Sequence, residues 1–275
     1  MNAALEVRHL HCQIGATPLL TGIDLTLEPG EFLAVIGRNG AGKSTLLNHL
    51  TGEMVGQRGE VRVFGAPLVS QPREELARRR AVVPQSTNLP FASEVLEVVM
   101  LGRIPHLRHR PESHEDVRIA RDCLARVGLG GYEGRDYLTL SGGEQQRVHL
   151  ARALAQLHGS PGQRLILLDE PTSALDVAHQ HRTLQLVKEL TREGVAALLI
   201  LHDLNLVSQY ADKVLVLAER RVLAFGTPHE VMTTEVLTRA FGYPMTALPH
   251  PWLECPLIIS GEQHAHAPRA HVPRA

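Results

Sequence analysis

Apolar positions in this chain gather into short unbroken runs, and the stretches between them carry helical spacing or glycine-rich turns. Residues 32–36 (FLAVI) form one such run, with no polar break, of the kind that makes a strand buried on both faces of a parallel sheet. Residues 165–168 form a second run, which ends in Asp169-Glu170, and residues 196–201 a third, which ends in His202-Asp203. Residues 25–31 read as a further strand closed by the turn signal Pro29-Gly30. Helical spacing covers residues 44–50, 144–157 and 179–192. Strands alternating with helices predict a layered α/β fold with a mostly parallel sheet, in which ligands collect at the carboxyl ends of strands.

The middle of the chain departs from this alternation. Residues 93–101 and 115–127 have helical spacing, and residues 103–111 read as a basic loop bearing His106 and His109. This predicts a helical insertion between the first strand–helix unit and the second strand that ends in acid. From Pro244 onward the chain is rich in Pro, His and Ala and loses periodicity, which predicts an extended or disordered tail.

Composition narrows the classes. A length of 275 residues suits one large α/β domain or two small ones. Lys and Arg number 28 against 29 Asp and Glu, so no general field draws a polyanion, and non-specific nucleic-acid binding is disfavoured as the main activity. The longest apolar run, residues 195–201, falls far short of the roughly 20 residues that cross a bilayer. The opening MNAALEVRHL lacks the basic start and apolar stretch of a secretion signal. Cys12, Cys123 and Cys255 lie far apart, which fits a reducing compartment and argues against a disulfide scaffold.

The strongest chemical signal follows the first buried run. Gly37-Arg38-Asn39-Gly40-Ala41-Gly42-Lys43-Ser44 fits the pattern G-x-x-x-x-G-K-[ST] and leads through Thr45 into a helix. Glycines let successive backbone N–H groups turn inward toward phosphate oxygens, and the helix adds its positive end. Lys43 can reach the β- and γ-phosphates, and the Ser44 hydroxyl can ligate Mg²⁺. Asp169, at the end of its run, can hold the same metal, while Glu170 orients an attacking water. Alone, that acidic pair is as readily a strand cap; beside the glycine loop, the catalytic reading is preferred. His202 stands where it can contact the γ-phosphate or the water, although a lone histidine there is more often structural.

Residues 140–147 (LSGGEQQR) combine a capping box, Ser141 with Glu144, with two glycines at a helix start. A well-capped helix is the plainer reading. Gly142 and Gly143 nevertheless make a second phosphate-binding surface, and one nucleotide does not need two from one chain. A head-to-tail pair of subunits, each closing over the nucleotide of the other, resolves this.

Together these segments resemble the nucleotide-binding subunit of ATP-binding-cassette (ABC) transporters over roughly residues 5–242. Residues 37–44 match the Walker A loop and residues 165–169 Walker B, with Glu170 as the catalytic carboxylate. Residues 140–145 match the family signature, Gln85 the Q-loop glutamine, residues 173–176 the D-loop and His202 the switch histidine. The resemblance implies a P-loop (RecA-like) α/β core with an N-terminal antiparallel β-subdomain and an inserted helical subdomain over about 86–160. An ATPase domain then spans 1–243, and residues 244–275 form a flexible extension. It also implies ATP and Mg²⁺ as cofactors, with Ser44, Gln85 and Asp169 around the metal. The implied assembly is an ATP-sandwich homodimer docked on a transmembrane permease dimer, served indirectly by a periplasmic binding protein, at the cytoplasmic face of the inner membrane.

Where the family usually stacks an aromatic residue on adenine, this sequence has Ile14, which implies weaker discrimination between ATP and GTP. Residues 102–106 (GRIPH) are similar to importers of iron chelates, haem and cobalamin. Residues 159–163 and 172–181 look most like haemin-import ATPases. Three other readings fit less well. A soluble ABC ATPase acting on DNA or ribosomes usually needs long coiled-coil insertions or two cassettes. A non-hydrolysing regulator should lack Glu170 or His202, and residues 102–106 disfavour an exporter. The chain has 16 histidines; His264, His266 and His271 in the tail, with His106 and His109, read more simply as solvated residues than as a metal or haem site.

Overall fold

A computed structural model describes residues 2–85, 92–107 and 110–261 of the chain. An antiparallel sheet opens the fold, with β1 (Leu5–Ile14), β2 (Thr17–Leu27), β4 (Arg58–Val63) and β5 (Ala66–Pro67) in the order β2-β1-β4-β5. The strand expected over 25–31 is the end of the longer β2, and the Pro29-Gly30 turn follows it.

The central sheet has six strands: β3 (Phe32–Ile36), β6 (Arg80–Val83), β7 (Arg164–Asp169), β8 (Val195–Ile200), β9 (Lys213–Ala218) and β10 (Arg221–Gly226). Their order is β10-β9-β3-β8-β7-β6, parallel throughout except for β10, which pairs antiparallel with β9. Every residue of β3 and of β8 is buried, which is why their sequences carry no polar alternation. Successive side chains enter opposite cores. Phe32, Ala34 and Ile36 face the core shared with the helices, and Leu33 and Val35 face the one beneath the antiparallel sheet.

Helices cover the sheet and build a lobe at one side of it. Helix α1 (Lys43–Thr51) follows β3, and α2 (Arg73–Arg79) runs directly into β6. The lobe contains α3 (Val95–Met100), the short α4 (Ile104–Leu107), α5 (His114–Arg126) and α6 (Gly142–Leu157). Helix α7 (Val177–Arg192) leads to β8, and α8 (Leu204–Tyr210) leads away from it. Helices α9 (Pro228–Val231) and α10 (Thr234–Phe241) follow β10.

Two expectations change. Residues 103–107 are part of the lobe rather than a solvated loop. Arg103 is buried, pairs with Asp116 at 3.2 Å and donates to the Ala155 carbonyl at 2.7 Å, and the His106 ring donates to the Gln156 carbonyl at 2.7 Å. His109 lies outside the described residues. Residues 245–260 are not part of a featureless tail: β11 (Met245–Pro249) and β12 (Pro256–Ser260) pair as an antiparallel hairpin. Ile258 of β12 is buried in the main core, and Asn205 of α8 bonds its backbone N–H at 2.8 Å and its carbonyl at 3.1 Å. The expectation failed because periodicity is short-lived in two five-residue strands rich in proline. The tail histidines His264, His266 and His271 lie outside the described residues.

Candidate active site

Sheet order assembles the site. Neighbouring β3, β8, β7 and β6 all point the same way, so their carboxyl ends form one row. Register keeps those ends level, since Val35 and Asp169 both pair with Ile200, and Val83 pairs with Leu168. The glycine loop, His202, Asp169-Glu170 and Gln85 therefore emerge side by side from segments distant in sequence.

The loop after β3 needs its glycines for two separate reasons. Gly37 (φ 152°) lies so close to β9 that a Cβ would sit 2.3 Å from the Leu217 carbonyl oxygen. Gly42 (φ 105°) occupies the left-handed region and abuts β2, where a Cβ would meet Leu20 at 2.7 Å. Between them Asn39 and Gly40 are exposed and Ala41 is buried. Helix α1 starts at Lys43 with no side-chain cap, whereas α5, α6, α7 and α8 start on the capping side chains of Ser113, Ser141, Asp176 and Asp203. An uncapped first turn at the end of a buried strand leaves its N–H groups for an anion.

Lys43 is buried, and its ammonium donates to the carbonyls of Gly37 at 2.7 Å and Arg38 at 3.1 Å, which wraps the loop around the side chain. Burial holds the Lys43 amine below its ordinary range, opposed by the nearby charges of Glu170 and Asp169. Asp169 shows the converse. Burial, then the Glu170 charge, raises its carboxyl, while Lys43 and His202 pull it down. Ser44 is exposed on the first turn of α1, and Thr45 beside it accepts the His49 ring bond on its carbonyl at 2.8 Å.

Glu170 is held at both carboxylate oxygens. The Gln85 amide donates to Oε2 at 2.8 Å, and the His202 ring bonds Oε1. Its backbone is unusual for a residue with a side chain, with φ at 50° in the left-handed region. The Glu170 N–H donates to the Ile200 carbonyl at 3.1 Å, and its own carbonyl accepts from Ser173 N at 3.2 Å, Ser173 Oγ at 3.0 Å and Gln146 Nε2 at 2.9 Å.

The LSGGE segment caps α6 as its spacing requires. Ser141 Oγ accepts from the Glu144 N–H at 3.3 Å, and the Glu144 carboxylate accepts from the Ser141 N–H at 2.8 Å. Gly143 packs on the turn beyond Glu170, where a Cβ would lie 2.9 Å from the Ala174 carbonyl oxygen, and Gly142 lies near Ala174.

Ser44, Gln85 and Asp169 bring a hydroxyl, an amide and a carboxylate, all hard oxygen donors suited to magnesium. Among the described residues no group of three or more His, Cys, Asp or Glu gathers to cage a metal.

Sequence reading passed over Gln146 and Ser173 as contacts of Glu170. A signal for Gln146 existed: it stands at i−4 from Leu150 and i−8 from Leu154 on the stripe of α6 that turns inward.

A parallel sheet with an uncapped phosphate loop, an acidic pair on the next strand but one, and an inserted helical lobe defines a cassette-type P-loop ATPase. The chain belongs to the ABC transporter family, whose description matches residues 20–173. It is 56% identical over 257 residues to the hemin import ATP-binding protein HmuV of Deinococcus radiodurans, a match covering 94% of this chain and 97% of that protein. The protein of the same description in Pseudomonas entomophila is 48% identical, covering 93% of this chain and 99% of its own length. Among solved structures, a metal-chelate type ABC transporter in an inward-facing conformation matches with a TM-score of 0.81 at 32% identity, over 95% of this chain and 98% of the other. A dimeric bacterial ABC transporter cassette matches with a TM-score of 0.72 at 28% identity, over 81% of this chain and 98% of the other.

Proposed function

We propose that the chain is the ATPase subunit of an importer for haemin, acting as a homodimer beneath a transmembrane permease. Full-length likeness to the hemin import ATP-binding proteins carries the cargo assignment, because the cargo never touches this subunit. ATP hydrolysis is the chemistry that the row of strand ends supports. No helix among the described residues is long and apolar enough to cross a membrane. In this reading the permease holds the subunit at the cytoplasmic face. A periplasmic binding protein delivers the haemin from the other side.

In this reading the α1 N-terminus and Lys43 hold the phosphates, and Ser44, Asp169 and Gln85 hold magnesium. A magnesium ion held by these residues would supply positive charge to offset that developing on the phosphate oxygens. Glu170 orients the attacking water and takes its proton, and His202 fixes the γ-phosphate. The bonds from Gln85 and His202 fix the Glu170 carboxylate by one contact on each oxygen and leave further lone pairs on both for the water. Ser141 to Gly143 of the partner subunit closes the site. Most of the rate enhancement then comes from position and electrostatics.

The test is ATPase activity of the subunit with its permease in liposomes, with and without haem-loaded binding protein. Haem-dependent stimulation and uptake, both lost in Glu170→Gln, support the reading. Robust turnover indifferent to haem discards haemin, and ferric siderophores and cobalamin are tested in its place.

A further inference from the structure

Helix α6 begins with the residues assigned to the partner's nucleotide, yet one turn later it grips this chain's own catalytic strand. Gln146 donates from Nε2 to the Glu170 carbonyl at 2.9 Å. That carbonyl belongs to the peptide that follows the left-handed φ of 50°, a conformation that side-chain-bearing residues rarely hold without support. Ser173 also bonds it, through N at 3.2 Å and Oγ at 3.0 Å, but those bonds lie within the turn and move with it. The Gln146 bond comes from another element and ties the turn to the helical lobe.

The other end of Gln146 has no such purpose. Its Oε1 is buried without a hydrogen-bond partner among the described residues. The space that Gln146 borders with Val83, Leu150, Leu168, Pro171 and Leu175, and with the polar Arg147 and Thr183, is too narrow to admit a water molecule, and neither polar neighbour bonds Oε1. An apolar side chain would fill this environment without leaving an acceptor unsatisfied. A glutamine here is a burden on stability offset by one donated bond, and that bond ends on Glu170.

We propose that Gln146 is a positioning residue for Glu170: it holds the strained Glu170 peptide from the signature helix, so that closure of α6 on the partner's nucleotide aligns this chain's own carboxylate. The proposal rests on the ATPase reading above.

The experiment compares wild type, Gln146→Leu and Gln146→His in the full-length protein, by steady-state MgATP hydrolysis and thermal melting. Leucine keeps the bulk and removes the donor; histidine can place a ring N–H near the lost amide. Gln146→Leu is expected to lower kcat about tenfold or more while KM for ATP changes less than about twofold, the effect of one lost hydrogen bond made in the working geometry. Its melting temperature should equal or exceed that of wild type, and Gln146→His should recover much of kcat. In a Glu170→Gln background, Gln146→Leu should lower the residual single-turnover rate no further. Full kcat in Gln146→Leu, a loss that follows a fallen melting temperature, or an equal loss in the Glu170→Gln background overturns the proposal alone. Wild-type protein that fails to hydrolyse MgATP even when assembled with its permease overturns the ATPase reading, and this proposal with it.

Discussion

At the scale of single residues, the site is a set of charges that folding alone does not favour. Asp169 is half-buried beside Glu170, and burial raises its carboxyl above the ordinary range. The unfolded chain gives up that proton first, near pH 4, so the folded state loses stability as pH rises from there through the higher native value. Asp169→Asn is therefore expected to stabilise the nucleotide-free protein at neutral pH by about 0.5–2 kcal/mol, an advantage that vanishes below about pH 4. Urea unfolding across that range checks the sign, and magnesium-dependent nucleotide binding should weaken in the same variant. Ile14 makes a different point. It is 66% exposed on the hairpin end of β1, and the paired β2 abuts the phosphate loop through Leu19 and Leu20. Ile14→Tyr should tighten nucleotide binding in direct titration, because an aromatic ring stacks on a base face more strongly than a branched alkyl group packs on it.

At the scale of elements, the segment GRIPH shows how a motif noticed for its kinship has a mechanical basis. Gly102 lets the chain after α3 lie against α6, where a Cβ would come 2.2 Å from the Arg152 carbonyl oxygen. Gly102→Ala should destabilise the lobe by about 1–3 kcal/mol in urea unfolding, since backbone on both sides must give way. Arg103 and Arg110 meet on Asp116, which is 1% exposed. The Arg110 bond above all, with those from Ser113 and Arg103, holds the Asp116 carboxyl well below the usual carboxylate range. Its contribution to stability is complete above the unfolded value of about 3.9 and is lost only as pH falls through the lower native value. Asp116→Ala should cost about 3–5 kcal/mol at neutral pH, because Arg103 then keeps a buried charge without its partner. The gap to wild type should narrow below about pH 4.

At the scale of the molecule, the C-terminal hairpin is tied to the row of strand ends at the candidate site. His202 and Asp203 follow β8, Asp203 caps α8, and Asn205 and Ser208 of α8 bond the backbone of β12 at Ile258 and Pro256. Asn205→Leu should destabilise the protein by about 1–3 kcal/mol through two unsatisfied backbone groups.

Local chemistry explains what could be read in the chain alone. An apolar run with no polar break has to be buried on both faces, and a glycine pattern before an uncapped helix start has to serve the backbone. The α/β class, the strands at 32–36, 165–168 and 196–201, and the Gly37 to Ser44 loop follow from such rules, acting over a few residues. The 103–107 segment and the hairpin beyond Pro244 do not, because their order depends on distant partners: Asp116 and Ala155 for Arg103, Asn205 for β12. The meeting of Gln85, Glu170, His202 and Gln146 is likewise a product of tertiary structure. Strand order and register set it by bringing parallel strand ends level, and no local preference encodes which strands become neighbours.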